Sequence, residues 1–140
     1  MEFDIDLSQV GCSCNSTIHL NGMPAVDTGA DEWGFCDANK GGGHWCPEFD
    51  IMEANKYAFK AIGHTCDAPD GNGKYHNCDR GGQCTNDVLA NNLQMDYGPS
   101  AAHIINTMKA FSVETIFHES NGVFTGYTTV LEQDGKQVVM

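Results

Sequence analysis

Three carboxylates lie close together in one short stretch of the chain: Glu48, Asp50 and Glu53, in the segment Glu-Phe-Asp-Ile-Met-Glu-Ala-Asn at residues 48–55. On a β-strand Glu48 and Asp50 share a face, because side chains repeat every two residues. Glu53 falls on the opposite face unless a one-residue bulge, a device common beside active sites, turns it round. Carboxyl groups that share a face repel each other, so their pKa values separate and one group keeps its proton near neutral pH.

A pair of carboxyl groups in different protonation states is what acid-catalysed cleavage of a glycosidic bond requires. One carboxylate attacks or stabilises the sugar, and one carboxylic acid protonates the leaving oxygen. The same spacing is equally compatible with solvated charges on the outer face of an amphipathic strand. The three acids alone therefore leave both interpretations open.

Period-two patterns predict that these acids belong to an all-β fold. Apolar and polar residues alternate over residues 3–7 and 111–118, and residues 16–20 read as a further strand. Asn121-Gly122 and Asp134-Gly135 are hairpin turn signals. Residues 54–62 are expected to form a loop or short turn and residues 66–83 a long loop, so the pattern favours a β-sandwich.

Other patterns with chemical meaning are weaker. The glycines at 41–43 lack the G-K-[ST] sequence of a phosphate loop. A calcium loop at 70–73 would need a further acid where Lys74 stands. The cysteines include no paired C-x-x-C of the kind that binds zinc. We therefore expect neither a metal ion nor another cofactor.

Length, charge and cysteine content narrow the function further. At 140 residues the chain is long enough for one domain with a modest core. Its net charge of −12 argues against nucleic acid and anionic membranes as partners, whereas a neutral polymer such as a glucan is compatible. Seven cysteines suggest an oxidising compartment, and an odd number leaves at least one without an internal partner.

The segment at 48–55, followed by Phe59, His64 and Cys66, resembles glycoside hydrolase family 7, the secreted cellulases, whose corresponding motif is E-M-D-I-W-E-A-N. Further matches occur in order along the chain at residues 3–8, 34–37 and 97–99. The resemblance implies a concanavalin-like jelly-roll β-sandwich whose concave sheet forms a glucan-binding cleft. It also implies that residues 1–140 are a single, partial catalytic domain, the central segment of the family's far longer one, or else an unusually reduced member of the family.

The resemblance assigns roles to the three acids. Glu48 matches the nucleophile, Glu53 the general acid/base, and Asp50 the aspartate that holds the nucleophile's geometry. The implied protein is a secreted, monomeric, retaining hydrolase that acts on β-1,4-glucan without a cofactor. A family 16 β-glucanase, which also uses E-x-D-x-x-E, and a non-catalytic glucan-binding or vestigial fragment remain the alternatives.

The family also supplies expectations for residues around the acids. His64, His19 and Asp37 are predicted to bind substrate, although His19 stands where the family has a tyrosine, and a solvated loop histidine is the alternative for His64. The resemblance pairs Cys36 with Cys46 and Cys66 with Cys78. The partners of Cys12 and Cys84 in the family lie beyond residue 140, and Cys14 has no family counterpart, so three thiols should remain.

Overall fold

The computed structural model describes residues 1–23 and 35–140, and their regular structure is almost entirely β. The strands are β1 (Glu2–Ile5), β2 (Ser16–Asn21), β3 (Glu48–Asn55), β4 (Ala58–His64), β5 (Cys84–Asp87), β6 (Tyr97–Gly98), β7 (Ile105–Asn106), β8 (Phe111–Ser120), β9 (Val123–Gln133) and β10 (Lys136–Val139). A short 3-10 turn occupies Gly41–Gly43. In the described residues, no helix has the length and apolar character to cross a membrane. The predicted all-β class is confirmed.

The strands form two four-stranded sheets, ordered β1-β8-β9-β10 and β2-β3-β4-β5, and a short parallel pair, β6-β7. In the first sheet the antiparallel register places Val113 between Phe3 and Leu131. Residues 121–122 and 134–135 turn with positive φ at all four positions, as a two-residue primed turn requires. Both predicted hairpins are therefore confirmed.

The prediction of a loop at 54–62 is wrong. β3 continues to Asn55, and β4 begins only three residues later at Ala58. The carboxamide oxygen of Asn55 accepts the backbone N–H groups of Tyr57 at 2.8 Å and Ala58 at 3.1 Å, which closes a tight turn. Phe59 and Ala61 are then buried on one face of β4. The error arose because the composition of this stretch tolerates a helix or a loop as well as a strand.

The chain folds into two compact units, of which unit 1 comprises Met1–Thr17, Met52–Ala61 and Asn86–Met140. Its core contains an aromatic series in which Phe59 meets Tyr97 edge-on and Tyr97 meets Phe111 edge-on, with centroid distances of 6.1 and 5.9 Å. The Tyr97 hydroxyl donates to the Asn55 carbonyl at 2.7 Å, and burial raises the pKa of Tyr97. A buried, neutral phenol therefore anchors the end of β3 within unit 1.

Unit 2 comprises Ile18–Ile51 and Ile62–Thr85. It contains both predicted disulfides, Cys36–Cys46 and Cys66–Cys78, which join residues 10 and 12 positions apart. Such bridges stabilise chiefly by restricting the unfolded chain. Elsewhere in the described residues, Cys12 and Cys14 carry exposed free thiols, and Cys84 takes part in neither bridge. The assignment of residues 1–140 to a single catalytic domain stays a prediction.

Candidate active site

Glu48 is the first residue of β3 and is held by the loop that the Cys36–Cys46 disulfide closes. Its side chain is nearly buried, with 9% exposure, and Oε2 accepts the backbone N–H of Ala38 at 3.1 Å. Ala38 is itself fully buried. A buried carboxylate needs donors of this kind, because burial without hydrogen bonds penalises the charged form. The covalently closed loop thus supplies a fixed donor to Glu48.

Asp50 and His64 form a buried hydrogen-bonded pair. His64 Nε2 lies 3.0 Å from Asp50 Oδ2, and His64 Nδ1 lies 2.7 Å from the carbonyl oxygen of Asp79. A carbonyl only accepts, so Nδ1 must carry a hydrogen. Both ring nitrogens of His64 are therefore engaged, one by the Asp79 carbonyl and one by the Asp50 carboxyl group, which fixes the orientation of the ring beside Glu48.

The turn at residues 79–83 holds His64 in place. The Asp79 carboxylate accepts the N–H of Gln83 at 2.7 Å and those of Gly81 and Gly82 at 3.1 Å. These donors, with Gln83 contributing most, hold the pKa of Asp79 below its usual range. Gly82 has φ +65°, and a Cβ there would lie 2.9 Å from His64 Cε1. The turn thus needs both an acid at 79 and a glycine at 82.

His19 lies on the same side of unit 2 as Glu48 and Asp50. Its Nδ1 is 3.9 Å from Asp50 Oδ1, and its side chain is 37% exposed. One ligand atom from each of His19, Glu48 and Asp50 lies within 4.8 Å of the others. An imidazole and two carboxylates are a set that a divalent cation such as Zn²⁺ can use, although the ligands of a bound ion lie closer together. No metal ion was expected here from the sequence.

The opposite face of β3 in unit 2 is apolar. The half-buried Phe49 ring lies against β4 at Gly63, where a Cβ would be 3.6 Å from the ring, and Ile51 is fully buried. Asp50 faces His64, so the alternation of a strand separates the acids from the apolar residues. That Glu53 shares the face of Glu48 and Asp50 stays a prediction.

Two further predicted site residues have different surroundings. Glu53 belongs to unit 1, is half-buried, and accepts the Asn15 side-chain amide at 3.3 Å. In unit 2, Asp37 Oδ1 accepts the backbone N–H groups of Asn39 at 2.7 Å and Gly41 at 2.6 Å. Those contacts make Asp37 a residue that shapes its own loop.

Sequence reasoning missed the groups that fix the acids in unit 2. The donor to Glu48 is the backbone N–H of Ala38, which no side-chain pattern reveals. The acceptor for His64 is the Asp79 carbonyl, 15 residues away. The run Asp79-Arg80-Gly81-Gly82 was a turn signal, but it carried no indication that the turn would close on His64.

Known proteins similar to this chain are cellulases. Endoglucanase EG-1 of Hypocrea jecorina is 28% identical over 148 residues, which cover 90% of this chain and 30% of that protein. Endoglucanase 1 of Humicola insolens is 29% identical over 169 residues, which cover 97% of this chain and 41% of that protein. No protein-family model matches. The chain therefore spans only 30% to 41% of the length of these two relatives.

Solved structures of cellulases have a fold similar to that of this chain. The native endocellulase EGI of Humicola insolens superimposes with a TM-score of 0.81 at 26% identity, covering 98% of this chain and 42% of that one. The resemblance to glycoside hydrolase family 7 is confirmed. A family 7 cellobiohydrolase from Daphnia pulex, at 21% identity and a TM-score of 0.79, shares the fold. The predicted jelly-roll β-sandwich is likewise confirmed.

Proposed function

We propose that this chain is part of a retaining glycoside hydrolase that cleaves β-1,4-glucosidic bonds, with Glu48 as the nucleophile. The observation that carries the proposal is the buried Glu48 carboxylate with its Ala38 N–H donor, beside the buried Asp50–His64 hydrogen-bonded pair. A nucleophilic carboxylate must be held in a fixed orientation and be accessible to the sugar from one side. The Ala38 donor fixes one oxygen of Glu48, and His64 fixes one oxygen of the neighbouring Asp50.

Glu53 is proposed as the general acid/base because it occupies that position of the motif. In the first step Glu48 attacks the anomeric carbon, the glycosidic bond breaks, and the leaving oxygen takes the Glu53 proton. In the second step Glu53 removes a proton from water, which displaces Glu48 and releases the sugar. This mechanism requires the two carboxyl groups about 5–5.5 Å apart. We therefore propose that the carboxyl groups of Glu48 and Glu53 are this far apart.

The substrate, location and assembly belong to the same proposal. The similar proteins are named endoglucanases, which supports a β-1,4-glucan as the substrate. The two disulfides are consistent with secretion into an oxidising medium. His19 and His64 border the acids and are proposed to contact the sugar or its leaving group, and the protein is proposed to act as a monomer. A family 16 β-glucanase remains a weaker candidate, since the similar proteins do not favour it.

The test compares Glu48→Gln with Glu53→Gln in the longest natural form of the protein. On a soluble β-1,4-glucan both variants should lose at least about a hundredfold in kcat/KM. On an aryl β-cellobioside with an activated leaving group, Glu53→Gln should lose much less in the first step, because that leaving group needs no protonation. Glu2→Gln makes the same chemical change at an exposed position of β1 and should leave kcat/KM unchanged on both substrates.

Equal losses for the two variants on the aryl substrate would contradict the assignment of roles. Absence of glucan hydrolysis by the unchanged protein, with intact binding of the polymer, would favour the non-catalytic glucan-binding alternative instead.

A further inference from the structure

A cavity of about 220 Å³ lies in unit 2 beside the loop that holds Glu48. Its lining includes four groups that are cationic or can become so, and two aromatic rings. They are Lys40, His44, Lys74, His76, Trp45 and Tyr75. The volume is below the usual range for a drug-sized ligand, and suits a single sugar ring or its substituent. Nothing in the proposed hydrolysis uses this cavity.

The cavity concentrates positive charge in a strongly acidic chain. The sequence has seven lysines and arginines against nineteen acids. Lys40 and Lys74 line the cavity, and Arg80 lies beside it over the Trp45 ring, so three of those seven cations meet in one place. Gathering like charges raises the electrostatic energy unless an opposite charge joins them. The site therefore gains from an anionic ligand.

Two of the cations lie over the ring of Trp45. Lys40 Nζ lies 5.9 Å and Arg80 Cζ 5.8 Å from its ring centroid, within the range of a cation–π interaction. Trp45 pairs through its backbone with Asp37 and Tyr75, and the next residue, Cys46, is bridged to Cys36. The aromatic platform is thus fixed before any ligand arrives, which lowers the entropy lost on binding.

Two of the cations at the cavity, Lys40 and Arg80, are not neutralised by a neighbouring acid in the part of the chain that the structure describes. Neither Lys40 nor Arg80 forms an ion pair with any residue that the structure describes, and Arg80 Nε donates to the Asn39 side-chain oxygen at 3.5 Å. Asp70 contacts His76 at 3.3 Å at the exposed edge. Asp37 Oδ1 is occupied by the N–H groups of Asn39 and Gly41.

We propose that this cavity binds an anionic group, a carboxylate or a sulfate ester, carried by a sugar of a glucan chain. The charged side chains would meet the anion, while Trp45 and Tyr75 provide apolar surface for the sugar ring. Trp45 precedes Glu48 by three residues, so a substituted polymer that reaches Glu48 has the cavity nearby. The glucan identity rests on the proposed function, whereas the binding of the anion does not.

The experiment is native affinity electrophoresis of the chain with Glu48→Gln, so that no polymer is cleaved. The gels contain carboxymethyl-cellulose, cellulose sulfate, uncharged hydroxyethyl-cellulose or poly-glutamate. At a net charge of −12 the chain as a whole is repelled by polyanions, so retardation by them requires a local basic site. We expect the anionic glucans to bind at least about tenfold more tightly than hydroxyethyl-cellulose, with the stronger of the two identifying the anion.

Variants locate the site. Lys40→Gln combined with Arg80→Gln should weaken binding of the anionic glucan about tenfold or more. Lys109→Gln combined with Lys136→Gln removes the same two charges from exposed positions in unit 1 and should leave binding unchanged. Binding that is equal for neutral and anionic glucans, as tight for poly-glutamate, or insensitive to the Lys40 and Arg80 changes would overturn the proposal. The hydrolase proposal would survive each of these results if the unchanged protein still cleaved hydroxyethyl-cellulose.

Discussion

Gly82 and His64 approach so closely that no side chain fits between them. A Cβ on Gly82 would lie 2.9 Å from His64 Cε1 and 3.2 Å from Nδ1, and would overlap Ile62. Gly82 also has φ +65°, where residues other than glycine are strained. The imidazole is thus enclosed by the Asp79 turn on one side and paired with Asp50 through its other nitrogen.

Gly82→Ala should displace His64 and lower the free energy of unfolding by about 2–4 kcal/mol, from backbone strain and overpacking together. Gly73→Ala is the matched control, since Gly73 has φ +76° but a Cβ at that position would meet nothing within 4 Å. That variant should lose only about 1 kcal/mol. Urea denaturation measures the free energy of unfolding of both variants. Equal losses would mean that the contact with His64 contributes nothing.

His64→Ala should remove the buried imidazole that contacts Asp50 at 3.0 Å and leave a cavity in its place. We expect the free energy of unfolding to fall by about 3 kcal/mol, because a buried hydrogen bond and the packing of the ring are lost together. Urea denaturation of the variant and of the unchanged protein gives the comparison.

The exposed pair of His76 with Asp70 provides the control for that experiment. His76 is 65% exposed, and its distance to Asp70, 3.3 Å, resembles that of the buried pair. His76→Ala should cost less than about 1 kcal/mol. A loss for His64→Ala no larger than the loss for His76→Ala would show that the buried pair contributes no more to stability than the exposed one.

Asp79 should make stability depend on pH in the acid range. The N–H groups of Gln83, Gly82 and Gly81 hold the pKa of Asp79 in the folded protein below that of an ordinary aspartate. Its contribution is therefore fully present above the unfolded-state pKa, and is lost as the pH falls through the lower folded-state value. Asp79→Asn should lower the Tm at pH 7, and the difference from the unchanged protein should close as the solution is acidified below that folded-state pKa.

Asp134→Asn is a suitable comparison, because Asp134 is 79% exposed and its Lys109 partner is 3.9 Å away. Its Tm should follow that of the unchanged protein across the whole range. If the Tm difference for Asp79→Asn were the same in acid as at neutral pH, the carboxylate's charge would have no part in holding the turn.

Thiol titration tests the cysteine pairing. In denaturant without reductant, three thiols per chain should react, and seven should react after reduction, because four cysteines are bridged. Cys66→Ala should raise the first count to four and lower the free energy of unfolding by about 3 kcal/mol in the chain-entropy model. A first count of one would reveal a third bridge and contradict the predicted pairing of Cys12 and Cys84 with residues beyond position 140.

The sequence predicted those features that short-range patterns encode. Period-two alternation located β8, Asn121-Gly122 and Asp134-Gly135 located the hairpins, and the family resemblance gave both disulfides. The strands at residues 54–62 were not predicted, because the turn between them is closed by hydrogen bonds to the side chain of Asn55.

The surroundings of the acids could not be predicted in the same way. The Ala38 N–H is a backbone group that no residue type signals, and the Asp79–His64 contact depends on how a long loop returns to β4. The basic cavity joins residues from positions 40–45 and 74–76, which are brought together by pairing of Trp45 with Tyr75. Roles for Glu48, Asp50 and Glu53 remain predictions that the proposed variants test.

The Asp79 turn also provides a reporter of the candidate site that needs no substrate. Its carboxylate holds the amide protons of Gly82 and Gln83, while its carbonyl accepts from His64. Any opening of the turn that releases His64 exposes those two amides to solvent deuterium. Their exchange rates therefore measure how often the turn that holds His64 opens in the resting protein.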